Sequence, residues 1–324
     1  MKKLRFMFVL MMVFALLFTS CVSTGSSAKN NDVTVLEDTV YVGDRILDVS
    51  NSLGIMPKFA AARYGQWPKS KNFQTGRLGC PNRVTRKMKD VVPKLIAEKG
   101  VKKVVVEKAT MPYCLLMKPV NPMDIIGIVK DKNVEITVID FSKSNKNGII
   151  EMAKYLGKEA EGVALADKYE KEMAKAEASM KDVKKGKKVA VLHTFVNPKT
   201  GRLFLFGESK GFYTDTIFLN KFGAKNVTDV LNKDKEELFK GNFTVTDLAL
   251  LTEANPDVII VYGSGAKNVK EKLAELKKQT PKFAEIPAIK NKAVAYDLPF
   301  YIGCDIEDAP KMIEKWVKFF KKVK

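Results

Sequence analysis

Any chemistry in this chain has to come from few reactive side chains. There is one histidine, His193, and there are four cysteines, Cys21, Cys80, Cys114 and Cys304. A Ser-His-Asp triad would need a nucleophile beside His193. In Gly263-Ser264-Gly265 the first glycine directly adjoins the serine, so the strand-to-helix nucleophile elbow fails. No phosphate-cradling Gly-rich signature and no Cys-x-x-Cys occurs. A lone histidine also removes multi-histidine metal sites. What remains is binding chemistry. Arg63, Tyr64, Trp67, Cys80 and Arg83 cluster in one stretch, with Tyr113 and Cys114, His193 and Tyr213, and Tyr301 and Cys304 further on. Aromatic rings with a few basic groups suit a large, partly anionic chelate or macrocycle. Packing in a core is an equal reading for Trp67 and Tyr113, and solvation for Arg63 and Arg83. His193 directly continues a strand, which favours a hydrogen-bonded core histidine over a ligand contact.

These residues need elements to position them. Residues 32–42 predict a short hairpin. RILDV, Arg45 to Val49, predicts a first strand, followed by Val101–Val106 and Val134–Ile139. Helical spacing runs from Thr85 to Lys99 and from Pro122 to Lys130. β-branched runs alternating with helices imply a parallel sheet with crossover helices. Lys158–Lys181 then predicts one long helix, with Val163, Ala166, Tyr169, Met173, Ala176 and Met180 as its apolar stripe. The alternation restarts with strands at Lys188–Leu192, Arg202–Phe206, Val258–Tyr262 and Ala293–Tyr296. Helices are expected at Tyr213–Phe222, Val245–Glu253, Val269–Lys278 and Ala309–Lys322, the last with Ile313, Trp316, Val317 and Phe320 inward. The fold expected is α/β: two Rossmann-like lobes, each a mainly parallel sheet flanked by helices, joined by one interlobe helix. The candidate residues then sit in loops at the C-terminal strand ends, where open α/β sheets take ligands.

The N-terminus reads as a targeting segment. Lys2, Lys3 and Arg5 precede the apolar run Phe6–Phe18, which suits a signal h-region and is too short to span a bilayer. Thr19-Ser20-Cys21 after it resembles the lipobox of bacterial lipoproteins, which makes Cys21 the expected lipidation site. Leu17 and Phe18 depart modestly from the usual pattern. The boundaries expected are a signal peptide at 1–20, a polar tether at 21–32, a first lobe at 33–157, the interlobe helix at 158–183 and a second lobe at 184–324. Export permits disulfides. With Cys21 acylated, three cysteines remain: a Cys80–Cys114 disulfide and a soft-metal contact drawing thiolates from both lobes are both open.

The chain has 324 residues and a formal charge of +19, which falls to +16 once residues 1–20 are removed. The excess is spread as single lysines. That fits a solvated face better than a nucleic-acid site, and no nucleic-acid partner is expected.

Five pieces then carry a resemblance: GDRILDVSNSLGI, YLGKEAEGVALADKYEKEM, FGAKNVTDV, NPDVIIVYG and PAIKNKAVAYDL. In order and spacing, over most of residues 43–322, the chain resembles the substrate-binding proteins of bacterial ABC importers, in the class that takes iron-siderophores, haem or cobalamin. The resemblance implies a monomeric, exported two-lobed binder that is not an enzyme and holds no cofactor of its own. It implies a metal chelate in the interlobe cleft, delivered to an ABC permease and its ATPase. It also implies a docking carboxylate on each lobe. Ala249 occupies the usual place in the second lobe, so Asp247 is the nearby candidate there and Asp90 the candidate in the first. A receptor for a bare metal ion or oxyanion is the alternative within the class. A membrane-tethered two-lobed enzyme of metal chemistry is the alternative outside it.

Overall fold

Thr34–Val42 forms β1, the middle strand of a five-stranded sheet. A computed structural model describes residues 33–64, 67–109, 121–183, 185–233, 237–238, 241–300 and 306–323. Cys21, Tyr113, Cys114, Tyr301 and Cys304 lie outside the described residues, as do the expected signal peptide and tether. The expected hairpin at 32–42 is instead this single strand. A register irregularity between Leu36 and Val40 accounts for its broken pattern.

β2 (Ile55–Ala61), β3 (Gly76–Gly79), β4 (Lys103–Lys108) and β5 (Glu135–Asp140) complete the sheet. The order is β3-β2-β1-β4-β5 and every pairing is parallel. Strands covered on both faces become unbroken apolar runs, such as the buried Val104-Val105-Val106.

Arg45 to Val49 is not a strand. It lies in helix α1, Arg45–Ser52, in which every residue from Arg45 to Ser50 is buried. The five residues from Arg45 to Val49 are too few to show a helical period, and two of them, Ile46 and Val49, are β-branched, so the run reads as a strand. The expected helix over Thr85–Lys99 is also broken. A π-helical turn covers Arg83–Lys87, and α2 begins only at Val91 and runs to Glu98. Pro93 has no N–H to give to a preceding turn, so this helix cannot extend upstream. A 3-10 turn, Pro122–Ile125, leads into α3, Ile126–Val129; α4 follows at Asn145–Tyr155.

The interlobe helix α5 spans Glu159–Ala178, 20 residues, and continues as a 3-10 turn at Ser179–Asp182. At 1.5 Å per residue it is about 30 Å long. Gly162 is what lets it approach α4, since a Cβ there would lie 2.1 Å from that of Ala153.

The second sheet is mixed. β6 (Lys188–Val196), β7 (Leu203–Glu208), β8 (Lys225–Asn226), β9 (Asn242–Thr244), β10 (Val258–Gly263) and β11 (Val294–Ala295) are arranged β11-β10-β6-β7-β9, with β8 also on β6. β7 runs antiparallel to both β6 and β9, and the other pairings are parallel. Residues 197–202 are too few for a crossover and permit only a hairpin.

The short α6 (Leu251–Ala254) precedes β10, and α7 (Ala266–Gln279), α8 (Pro281–Ala284) and α9 (Pro287–Lys290) follow it. The last helix, α10, is Ala309–Phe320, and Ile313, Trp316, Val317 and Phe320 are buried as their spacing predicts. Trp316 stacks on Phe218 at 3.9 Å between centroids, and its indole N–H donates to the Pro299 carbonyl at 2.7 Å. One core cluster runs from Tyr41 and Ile46 through Ala166 of α5 to Val191 and Trp316, so the lobes share buried apolar contact. Among the described residues no helix is long and apolar enough to cross a membrane.

Candidate functional site

The C-terminal edge of the first sheet carries four buried charges. β1 ends at Val42, and the chain leaves it for β2 on one side and, later, β4 on the other, so the ends of β1 and β4 bound the crevice that such sheets use for ligands. Asp44 accepts from the Arg63 N–H at 2.7 Å and pairs with the Arg63 guanidinium. Glu107 accepts from the Arg45 N–H at 2.7 Å, and its carboxylate lies 3.6 Å from the Arg45 guanidinium. Gly43, at φ +149°, lets the backbone pass; a Cβ would fall 2.3 Å from that of Glu107. Burial pushes the Glu107 carboxyl up, against the pull of Arg45. Arg45 also donates to Asn145 at 3.1 Å, and Asn145 donates to the Tyr169 hydroxyl at 2.6 Å, which carries the network onto α5. Arg63 is therefore held by Asp44 below the surface rather than projecting from it.

The remaining first-lobe candidates follow β2 and β3, which are neighbours. Tyr64 is half-buried, donates to the Ala60 carbonyl at 3.0 Å and lies under the Arg77 guanidinium at 5.0 Å. Trp67 is 1% exposed and meets Phe73 edge-on at 4.8 Å, so its ring belongs to the core. Cys80 is a half-buried free thiol. Arg83 is exposed, folds over Gly79 and donates to the Met88 sulfur at 3.0 Å.

In the second lobe His193 is buried and bonded through Nε2 to Glu208 at 2.7 Å. The same carboxylate accepts from the Thr214 N–H at 2.5 Å and the Thr214 hydroxyl at 2.8 Å. The His193 ring stacks on Tyr262 at 5.2 Å and meets Phe300 edge-on at 5.0 Å; Tyr213 joins through Phe300 at 4.7 Å. His193 and Tyr213 are thus brought together, inside an aromatic cluster. Just beyond them the Gly263-Ser264-Gly265 turn closes on β6. Gly263 has φ +95°, and a Cβ there would lie 1.9 Å from the Thr194 carbonyl oxygen. The Ser264 hydroxyl accepts from the Val196 N–H at 2.9 Å, a structural role.

Composition and motif reading did not single out the rings at this edge. Phe195 is 38% exposed and lies 6.2 Å from half-buried Phe204, which stacks on Phe206 at 6.4 Å; the Arg202 guanidinium sits over Phe204 at 5.0 Å. An arginine capping a ladder of rings matches the chemistry of a flat, anionic ligand. The signal was the alternation in RLFLF, which reads equally as any strand.

The two halves are tied at one further point. Asp48 of α1 accepts from the Ile306 N–H at 2.5 Å and from the Lys69 ammonium at 3.0 Å, and Lys69 reaches Glu307 at 2.8 Å. The docking candidates lie elsewhere. Asp90 is exposed and paired with Lys94, whose ammonium holds its carboxyl below the usual value. Asp247 is exposed and accepts from the Ala249 N–H at 2.8 Å. Among the described residues no three His, Cys, Asp or Glu side chains converge to hold a metal ion.

Residues 128–300 match the family described as periplasmic binding protein. No curated protein matches the sequence. Solved structures share the fold. The periplasmic heme-binding protein RhuT from Roseiflexus sp. RS-1, in apo form, is 15% identical with a TM-score of 0.59, over 89% of this chain and 99% of that one. The iron-uptake system-binding protein FeuA from Bacillus subtilis is 17% identical, TM-score 0.53, over 88% and 94%. IsdE of S. aureus, complexed with heme, is 18% identical, TM-score 0.52, over 87% and 98%.

Proposed function

This chain belongs to the periplasmic binding protein family, and on that premise we propose that it is a lipid-anchored receptor which captures a metal chelate between its lobes and hands it to an ABC permease. A member of this family is a binding protein of a transporter, not an enzyme. The ligand class proposed is haem, an iron-siderophore or a cobalamin-like corrinoid; of the receptors that share the fold, RhuT and IsdE bind heme and FeuA serves iron uptake.

The single observation that carries the reading is the half-exposed ladder of Phe195 and Phe204 under Arg202, at the C-terminal edge of the second sheet. Flat rings take a macrocycle or catecholate by stacking, and the guanidinium takes its carboxylate or phosphate. Tyr64, Cys80 and Arg83 are the proposed first-lobe contacts. Tyr113, Cys114, Tyr301 and Cys304 complete the proposed set. Arg63, Trp67, His193 and Tyr213 are buried, and the role assigned to them is that of a pedestal for this surface. The anchor proposed is diacylglycerol on Cys21. Docking on the permease, with its ATPase beyond, is assigned to Asp90 and Asp247. The receptor is expected to act as a monomer.

Titrating the protein with hemin, a ferric siderophore and cobalamin, and following Trp fluorescence, tests the reading. One of them should bind at one per chain, and F204A with R202A should weaken it at least tenfold. Saturable binding by none of the three would overturn the chelate reading.

A further inference from the structure

The outer edge of β7 is only partly paired. The Arg202 carbonyl accepts from the Asn197 N–H at 2.9 Å, so the even-numbered residues of this hairpin arm turn their backbone groups toward β6. In an antiparallel ladder the odd-numbered residues then point them away. β9 meets that outer edge only between Phe206 and Glu208. One more bond, from the Val245 N–H to the Leu205 carbonyl at 3.0 Å, ends the contact. Beyond it the two segments part. Among the described residues, the Leu203 N–H, the Leu203 carbonyl and the Leu205 N–H have no backbone partner on this side.

The space between the parted segments is a cavity of about 830 Å³. Two of its walls are runs of consecutive residues, 202–206 and 244–248, which is how a strand edge, rather than a strand face, borders a space. The third wall is one face of α7: Lys272, Glu275, Leu276 and Gln279, spaced by three and four. Leu203 and Leu205 supply apolar surface, with Leu203 packed on Gly265, and Leu238 stands 52% exposed among the lining residues.

We propose that this cavity is a strand slot, which accepts an extended peptide segment of the membrane permease by adding it to the edge of β7. The proposal rests on the transport reading above. Two unpaired backbone donors and an acceptor at strand spacing match an extended segment, and apolar side chains at alternate positions would fall on Leu203, Leu205 and Leu276. A second copy of this chain fits poorly, because its own β7 edge is recessed behind the same three walls. The charged lining side chains balance, Arg202 and Lys272 against Asp247 and Glu275, so selection is by backbone and apolar contact. Asp247, the docking carboxylate proposed above, lies on the same wall and makes the two contacts continuous.

The probes are fluorescent twelve-residue peptides, one alternating Val and Thr between terminal lysines and one of Gly and Ser, titrated into the full chain with hydrogen exchange measured in parallel. The alternating peptide should bind, the Gly/Ser peptide should not, and the Leu203 and Leu205 amides should slow at least tenfold on binding. L203P removes a donor that the described residues leave unused and trims the side chain packed on Gly265, so it should lower the melting temperature by a few degrees at most, stay folded and still bind the chelate, and lose at least tenfold in peptide affinity. L238D should lose affinity similarly at unchanged stability. No binding, binding unaffected by L203P, or edge amides already protected in a concentration-dependent dimer would each overturn the slot. Chelate binding is scored on the same protein, so a chain that takes a chelate and no peptide sinks the slot alone.

Discussion

Asp48 and Ile306 lie 258 positions apart and are joined directly, the buried carboxylate of the first helix accepting the backbone N–H of the last segment at 2.5 Å. The other carboxylate oxygen holds the Lys69 ammonium, which bridges on to Glu307. One acid thus fixes the chain entering α10 against the first lobe. The shared core and α5 make the same connection through apolar contact.

D48A should cost about 1–3 kcal/mol, because it strips the buried Ile306 N–H of its acceptor and leaves Lys69 held by Glu307 rather than by Asp48. Urea denaturation measures it. K69R should retain most of the stability, and K69M should speed hydrogen exchange at residues 306–308.

The clamp should also weaken in acid. Partial burial alone would raise the Glu307 carboxyl, but the Lys69 ammonium outweighs burial and holds it below its ordinary value. A depressed carboxylate contributes stability that is full above the unfolded value, about 4.3, and is lost as pH falls through the folded one. Exchange protection at residues 306–308 should be flat from about pH 7 to 5 and fall below about pH 4. K69M should show no such acid step.

D44A should be as damaging as a large core truncation, about 3–5 kcal/mol, since the Arg63 guanidinium is buried against it. R83A, on an exposed side chain, should change stability by no more than about 0.5 kcal/mol. Equal effects of the two on the urea midpoint would contradict the assignment of Arg63 to the pedestal and Arg83 to the surface.

C21A should move the protein from the membrane to the soluble fraction, as expected when the acyl chains are lost. An intact mass showing an unmodified N-terminus on the wild-type protein would remove the anchor from the account.

Legibility in the sequence followed the environment of each segment. Val258–Tyr262 in the second sheet and Val104–Val106 in the first are strands buried on both faces, and a β-branched run of that length bounded by turn residues has few other readings. The stripe of α10 declared itself because its opposite face is wet. RILDV misled because five residues are too few to show a helical period and Ile46 and Val49 are β-branched. The site was less legible. Arg63 looks free in the sequence, and the carboxylate that holds it lies 19 positions away across a strand. His193 has its partner, Glu208, on the other arm of a hairpin, and only the register of β6 with β7 brings them together. Phe195 and Phe204 pair through that same register, so the strongest candidate surface was invisible until the hairpin was known.

Native mass spectrometry of the protein purified from its own source tests the central claim most directly. The account predicts one retained metal chelate per chain, released on unfolding and absent from F204A with R202A. A chain that emerges empty, and whose melting temperature hemin, a ferric siderophore and cobalamin all leave unchanged, would contradict it.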